Sequence, residues 1–175
     1  GTARASSSAL SEPDCEACPV VMLCGARAAG LVAEIPKPAV RSEIEEVHEA
    51  AIVVRRAGRV LLSRRDASGR WAGLWDFPGL RLMATSDSEQ KREITEFVHR
   101  ATGLEIELGQ HLTTLRHGVT RFRITLDCYE AVALAGTARP TTGSDKLSWV
   151  YPSQLADYPL HVTGRKLAKL IAGAA

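Results

Sequence analysis

The chain has 175 residues, 45% hydrophobic and 24% charged, ordinary globular values that allow one closed core of about 130 residues plus an appendage. No apolar run approaches the roughly 18–20 residues of a membrane span, and no basic stretch leads into an apolar one at the N-terminus, so neither a membrane anchor nor a secretory leader is expected. The net charge of +2 hides an asymmetry: four basic against seven acidic residues up to Glu46, a charge of −3, and eighteen against thirteen from Val47 onward, a charge of +5. A basic body suits a polyanionic partner, because neutralising phosphates releases their counterions.

Residues 1 to about 14, with the run Ala5-Ser6-Ser7-Ser8-Ala9, hold little that would order them. Gly1 in place of a methionine is expected of a piece cut from something longer. A compact group of cysteines follows, and residues 31–46, with Pro36 and Pro38 and little periodicity, predict a semi-rigid linker. The expected segments are therefore 1–30, 31–46 and a body over 47–175. Within the body, residues 49–56 (EAAIVVRR) are a β-rich run, Ala57-Gly58 a tight turn, and residues 59–65 the returning strand of a hairpin. Residues 75–80 predict a short extended piece. The clearest helix spans residues 86–102. Ser86 and Glu89 form a capping box, Ile94, Phe97, Val98 and Ala101 recur at helical spacing, and Gly103 ends it. Two strands follow: 105–115, long enough to be broken, and 121–134, with Phe122, Ile124, Leu126 and Cys128 facing one side. Trp149-Val150-Tyr151 is a short apolar run. A closing helix over 163–172 is expected to bury Leu167, Leu170 and Ile171 and to leave Arg165, Lys166 and Lys169 in solvent. Strands, a mid-chain helix, more strands and a final helix predict an α+β layered domain.

Cys15, Cys18 and Cys24 form C-x2-C-x5-C, with Pro19 directly after the second cysteine. Three thiols so close in sequence can converge on one metal centre, and thiolate softness favours zinc or an iron–sulfur cluster. Incidental or disulfide-bonded cysteines are the plainer alternative. Cys128, on an apolar strand face, reads as core packing. The most specific signature is the run Arg64-Arg65-x3-Gly69-Arg70-Trp71-Ala72-Gly73-Leu74-Trp75-Asp76-Phe77-Pro78. Its glycines allow a turn with close backbone approach, and Trp71, Trp75 and Phe77 are expected to fill a core edge.

Together these two motifs resemble the carboxyl-terminal part of MutY-type adenine DNA glycosylases, and the resemblance runs from Cys15 to the end of the chain. The cysteines match the last three positions of that family's iron–sulfur loop, C-x6-C-x2-C-x5-C. Strict spacing puts the first ligand at Ser8, and matching Gly1-Thr2-Ala3-Arg4 to the start of the loop puts Gly1 there; either way the first cysteine is absent. The resemblance implies that Cys15, Cys18 and Cys24 ligate a 4Fe-4S cluster that fixes a DNA-contacting loop and performs no chemistry. The tryptophan-glycine run is similar to the family's GLWAGLWEFP block, with Asp76 in place of glutamate. The fold implied for 47–175 is a Nudix-like mixed sheet flanked by helices.

A Nudix-like fold raises the hydrolysis of nucleoside diphosphate compounds. The Nudix box, G-x5-E-x7-R-E-U-x-E-E-x-G-U, gathers glutamates on one helix to hold Mg²⁺ against a pyrophosphate. Aligned on Gly103-Leu104, it puts Glu96 and Phe97 where Arg-Glu belongs, and Arg100 and Ala101 where two metal-binding glutamates belong. An arginine in that place repels the cation, and Glu93 and Glu96 read as a solvated helix face. The chain by itself is expected to be non-catalytic; the alternative is a divergent Nudix hydrolase acting on oxidised nucleoside phosphates.

In the glycosylase family this domain helps recognise 8-oxoguanine opposite mispaired adenine, and a loop between two strands carries a Phe-Ser-His triplet. The matching positions here are Val119, Thr120 and Arg121, preceded by Arg116 and His117. Threonine keeps a hydroxyl for a base edge, valine can wedge but not stack, and Arg121 brings a phosphate-seeking charge. A polar hairpin tip with no ligand is the alternative. Arg64, Arg65, Arg70, Arg116 and Arg123 are candidates for backbone contacts. The implied partner is double-stranded DNA with an 8-oxoguanine:adenine mispair. The resemblance further implies a cytoplasmic, nucleoid-associated monomer whose excision chemistry lies in a helical domain outside this chain. Residues 31–46 are a further candidate, for docking a repair or replication protein.

Overall fold

The computed structural model describes residues 13–35, 43–67, 71–141 and 143–173; Gly1, Ser8, the middle of the expected linker (36–42) and Arg70 lie outside them. The chain divides into two units, Gly1–Ser42 and Glu43–Ala175. In the first, among the described residues, a 3-10 turn, Val21–Leu23, leads into a one-turn helix α1, Gly25–Ala28. Asp14 Oδ1 accepts the backbone N–H groups of Glu16 and Ala17, each at 3.1 Å, and Arg27 Nη1 donates to the carbonyl of Cys15 at 3.1 Å. None of its described residues is buried.

The second unit opens with strand β1, Glu45–Arg56, whose residues 50–54 are buried without interruption. A central strand covered on both faces reads as a continuous apolar run rather than an alternating one. Ala57 and Gly58, at φ 49° and 73°, make the left-handed two-residue turn that suits strand twist. The chain returns as β2, Arg59–Arg65. Short strands β3, Trp75–Asp76, and β4, Gly79–Arg81, precede helix α2, Asp87–Thr102. Ser86 caps that helix, its hydroxyl accepting the N–H of Glu89, and Gly103 closes it at φ 72°. A long hairpin follows, β5, Leu104–Val119, and β6, Phe122–Gly136, then β7, Ser144–Val150. A 3-10 segment, Pro152–Asp157, leads to helix α3, Val162–Gly173.

Among the described residues these strands form one mixed sheet in the order β3-β2-β1-β6-β5, with β4 also paired to β1 and β7 to β2. β1 and β6 run parallel, from Glu45 beside Phe122 to Arg55 beside Val132. The other pairings are antiparallel. One face packs Ala50, Ile52, Val54 and Leu61 against Ile94 and Val98 of α2; the other packs Val53, Val60 and Leu62 against Leu167 and Ile171 of α3. Each fully buried aliphatic side chain contributes about 1.5–3 kcal/mol. The molecule is the expected α+β mixed sheet flanked by helices.

Three local expectations are corrected. Leu170 is 41% exposed, because α3 meets the sheet along Leu167, Ala168 and Ile171 and the helical period turns position 170 outward. Trp71 is 56% exposed and sits at φ 66°, so only Trp75 and Phe77 of the aromatic run enter the core, 8% and 3% exposed. The strand after α2 is unbroken. It accommodates its length through register shifts around His111, where extra residues bend a strand without ending it.

Candidate functional site

Helix α2 presents Phe97, Arg100 and Ala101 at i, i+3 and i+4 spacing, one face of the helix. Phe97 and Ala101 line a pocket of about 220 Å³ whose other walls include Ser63 and Arg65 of β2, Asp76, Pro78 and Ser144. The Nudix box places metal-binding carboxylates at the positions of Phe97, Arg100 and Ala101. The donor set here is an aromatic ring, a cation and a methyl group. Among the described residues no group of three or more His, Cys, Asp or Glu side chains could hold a metal ion. The pocket does not fit the divalent ion of that chemistry.

Glu93 is not the solvated residue expected of it. Its carboxylate accepts the backbone N–H groups of Met83 at 3.2 Å and Ala84 at 3.1 Å, while Gln90 Nε2 donates to the carbonyl of Ala84 at 3.0 Å. A glutamate near the helix start thus satisfies the backbone of the segment entering it. Glu96 does stand in solvent, paired with Arg92 at 3.8 Å.

A polar relay borders the pocket. Asp76 Oδ1 accepts the N–H of Phe77 at 2.9 Å, and Oδ2 takes Arg65 Nη2 at 3.1 Å and His161 Nε2 at 2.5 Å. His161 Nδ1 in turn meets the N–H and hydroxyl of Thr163 at 3.2 and 2.7 Å. Arg65 Nε is buried and has no partner, one of two such side-chain atoms among the described residues. Sequence reasoning singled out Asp76 only as a departure from glutamate and missed His161, which lies 85 positions away.

The hairpin tip gathers most of the expected lesion-reading residues. Val119 faces Phe122 across β5 and β6, and Thr120, at φ 55°, makes the turn with Arg121. The Arg121 guanidinium lies 5.1 Å from the Phe122 ring centre, and the Arg121 carbonyl accepts the N–H of Glu45 at 2.9 Å. Thr120 and Arg121 are exposed, as is Arg116. His117 Nδ1 is the second buried atom without a partner. Arg64 is not part of this group. It stands on β2, with β1 and β6 between it and β5, and its guanidinium is committed to Asp145 through two 2.8 Å bonds. That pairing holds the Asp145 carboxyl below the ordinary carboxylate range. Arg123 is likewise paired, with Glu46 at 2.8 Å.

A second cluster was invisible in the sequence. Asp127 takes His48 Nε2 at 2.5 Å, the Thr114 hydroxyl at 2.5 Å and His111 Nε2 at 3.3 Å. Burial pushes its carboxyl up, but the hydrogen bonds from Thr114, His48 and His111 and the charge of His48 outweigh burial and hold it below the usual range. Its stabilising contribution is therefore present above the unfolded aspartate value near 3.9 and lost as pH falls through the lower folded value. Cys15, Cys18 and Cys24 are free thiols of intermediate exposure, not gathered into a metal-ligating group. Cys128 is buried as expected, and burial pushes its thiol up to about 12.

Comparisons with known proteins bear on both readings of the fold. The chain is 30% identical over 125 residues to the adenine DNA glycosylase of Rattus norvegicus, covering 67% of this chain and 24% of that enzyme. It thus spans about a quarter of that relative's length. It is 25% identical over 114 residues to the CTP pyrophosphohydrolase of Escherichia coli (strain K12), covering 65% of this chain and 82% of that enzyme. In fold it is similar to the crystal structure of a MutT protein from Methanosarcina mazei Go1, with a TM-score of 0.66, 19% identity, and coverage of 76% of this chain and 97% of that one. The family model described as NUDIX domain matches residues 49–170. On the two-sided sheet, the capped α2 helix and this match, the chain belongs to the Nudix family.

Proposed function

We propose that this Nudix domain recognises its ligand without hydrolysing it, as the lesion-reading part of an adenine DNA glycosylase directed at 8-oxoguanine opposite adenine in duplex DNA. The comparisons by themselves weigh at least as much toward a nucleotide hydrolase, since they span 82% of the pyrophosphohydrolase and 24% of the glycosylase. The observation that carries the recognition reading is the α2 face of Phe97, Arg100 and Ala101. Two of these line the pocket where a hydrolase needs an oxygen cage. The exposed Thr120-Arg121 tip supports contact with DNA through a hydroxyl for a base edge and a guanidinium for phosphate. In the whole protein, Cys15, Cys18 and Cys24 would supply three thiolates to a 4Fe-4S cluster, with the fourth ligand from elsewhere. Their softness and closeness in sequence support this reading, while in this structure the three are not gathered into one ligating group.

Two measurements decide. Fluorescence anisotropy with a short duplex bearing 8-oxoguanine opposite adenine, against the same duplex with a G:C pair, is expected to show tighter binding to the lesion and affinity falling steeply with salt. Arg121→Ala is expected to weaken both duplexes, by about 1 kcal/mol or more if the guanidinium meets a phosphate. The second reading, a divergent hydrolase of oxidised nucleoside phosphates, rests on the pyrophosphohydrolase relative. Sustained release of pyrophosphate from 8-oxo-dGTP in Mg²⁺ or Mn²⁺, with no preference for the lesion duplex, would establish it instead.

A further inference from the structure

A cavity beside α3 belongs neither to the hairpin tip nor to the pocket next to α2. Positions 165, 168, 169 and 172 recur at i, i+3, i+4 and i+7, one side of the helix, and line a cavity of about 230 Å³ together with the 3-10 segment before it. Leu155 and Leu160, 1% and 4% exposed, give it an apolar lining. Tyr158 forms another wall and is held edge-on to Trp75, their ring centres 5.2 Å apart. Room remains because Ala156, Ala168 and Ala172 present methyl groups where longer side chains would fill the gap. Arg165 and Lys169, both exposed, are the charged residues that line it, and no lining residue is acidic. We propose that this cavity docks an acidic segment of a partner protein, anchored by one bulky apolar side chain.

Charge complementarity selects the sign of the partner. Helix α3 carries Arg165, Lys166 and Lys169 and no acidic residue. Neither Arg165 nor Lys169 has an ion-pair partner among the described residues. Two like charges at i and i+4 repel each other, and carboxylates arriving over the cavity relieve that repulsion. Size selects the anchor. About 230 Å³ lies below the roughly 300–1,000 Å³ of small-molecule sites, and a well-packed pocket for one large side chain is the usual centre of a protein interface. The apolar lining argues against duplex DNA, whose phosphates gain nothing by covering Leu155 and Leu160 and whose bases are stacked away from such a cavity. A basic rim around an apolar hole matches a peptide that is acidic around an apolar residue. The proposal stands independently of lesion reading by the Thr120-Arg121 tip.

The test titrates the full 175-residue chain with the fluorescein-labelled peptide Asp-Glu-Asp-Phe-Glu-Asp-Glu, reading anisotropy, and follows the Ala156, Ala168 and Ala172 methyl resonances by NMR. Saturable binding that moves those methyls and weakens with salt is expected. Replacing the peptide's phenylalanine by alanine is expected to weaken binding about tenfold or more, and replacing its acidic residues by lysine to abolish it. Lys169→Glu, which reverses a rim charge, and Ala172→Phe, which fills the cavity from an exposed position, are each expected to cost about tenfold or more with unchanged far-ultraviolet circular dichroism. Lys166→Glu makes the same charge change outside the cavity and is expected to cost clearly less. Absence of saturable binding, equal binding of the acidic and lysine peptides, or equal losses in Lys166→Glu and Lys169→Glu would overturn the proposal. So would movement of the same methyls by a short DNA duplex that the acidic peptide does not displace, which assigns the cavity to nucleic acid. A dimer in light scattering that Lys169→Glu dissolves would likewise overturn it, in favour of a second copy of this chain.

Discussion

Four cysteines in one chain occupy two chemical worlds. Cys128 is fully buried in the core facing α3, in one cluster with Leu126 and Val53, and its burial, with Asp127 nearby, pushes the thiol up to about 12. Because the thiolate is the nucleophile, Cys128 is silent toward alkylating reagents in the folded protein. Cys15, Cys18 and Cys24 are partly exposed free thiols. Iodoacetamide at pH 8 followed by mass spectrometry is expected to label those three within minutes and Cys128 only after denaturation; labelling of Cys128 in the native protein would contradict the packing described. The sign of the pH effect follows. A thiol raised in the fold above its unfolded value keeps its proton longer when folded, so stability falls as pH rises beyond about 9. The burial of Cys128 was legible from strict alternation along its strand. The Asp127 cluster was not, since His48, His111 and Thr114 reach it from two other strands, and no local pattern announces a cross-strand partner.

At the level of elements, periodicity and caps carried most of what the sequence could say. The Ser86 cap, the apolar stripe of Ile94 and Val98 and the Gly103 stop bounded α2 to within a residue. The left-handed Ala57-Gly58 turn fixed the first hairpin. What escaped was the meeting of the far ends of one long hairpin with the end of α2. Leu104 pairs with Gly136, and a Cβ added to Gly136, at φ 90°, would lie 2.2 Å from the carbonyl oxygen of Gly103. That is a backbone approach only glycine permits. Gly136→Ala is therefore expected to destabilise the domain by roughly 1–3 kcal/mol or more, read as an earlier midpoint in urea unfolding with an unchanged slope. Gly143→Ala, also left-handed at φ 80° but with nothing within 4 Å of the added Cβ, separates the two costs. It pays the conformational cost alone and is expected to be the milder of the pair. Equal effects would show that the close approach contributes nothing.

At the scale of the whole chain, the two units differ in what holds them. Glu43–Ala175 closes two apolar cores, one on each face of a seven-stranded sheet, and about 130 residues is enough for such a domain to bury most of its apolar surface. The described residues of Gly1–Ser42 bury no side chain, and Met22 and Leu23 stand 92% and 89% exposed. With no core among its described residues, the segment takes its order there from local hydrogen bonds, and a metal clip across its cysteines would add binding energy as folding energy. Residues 43–175 expressed alone are expected to unfold in a single cooperative thermal transition, with near-ultraviolet circular dichroism from the packed Trp75 edge on Tyr158, their ring centres 5.2 Å apart. A peptide of residues 1–42 is expected to lack such a transition and to gain ordered signal only on reconstitution with a thiophilic metal. If residues 43–175 gave no near-ultraviolet signal and a broad melt, the cores on the two sheet faces would not suffice to hold the Nudix unit together.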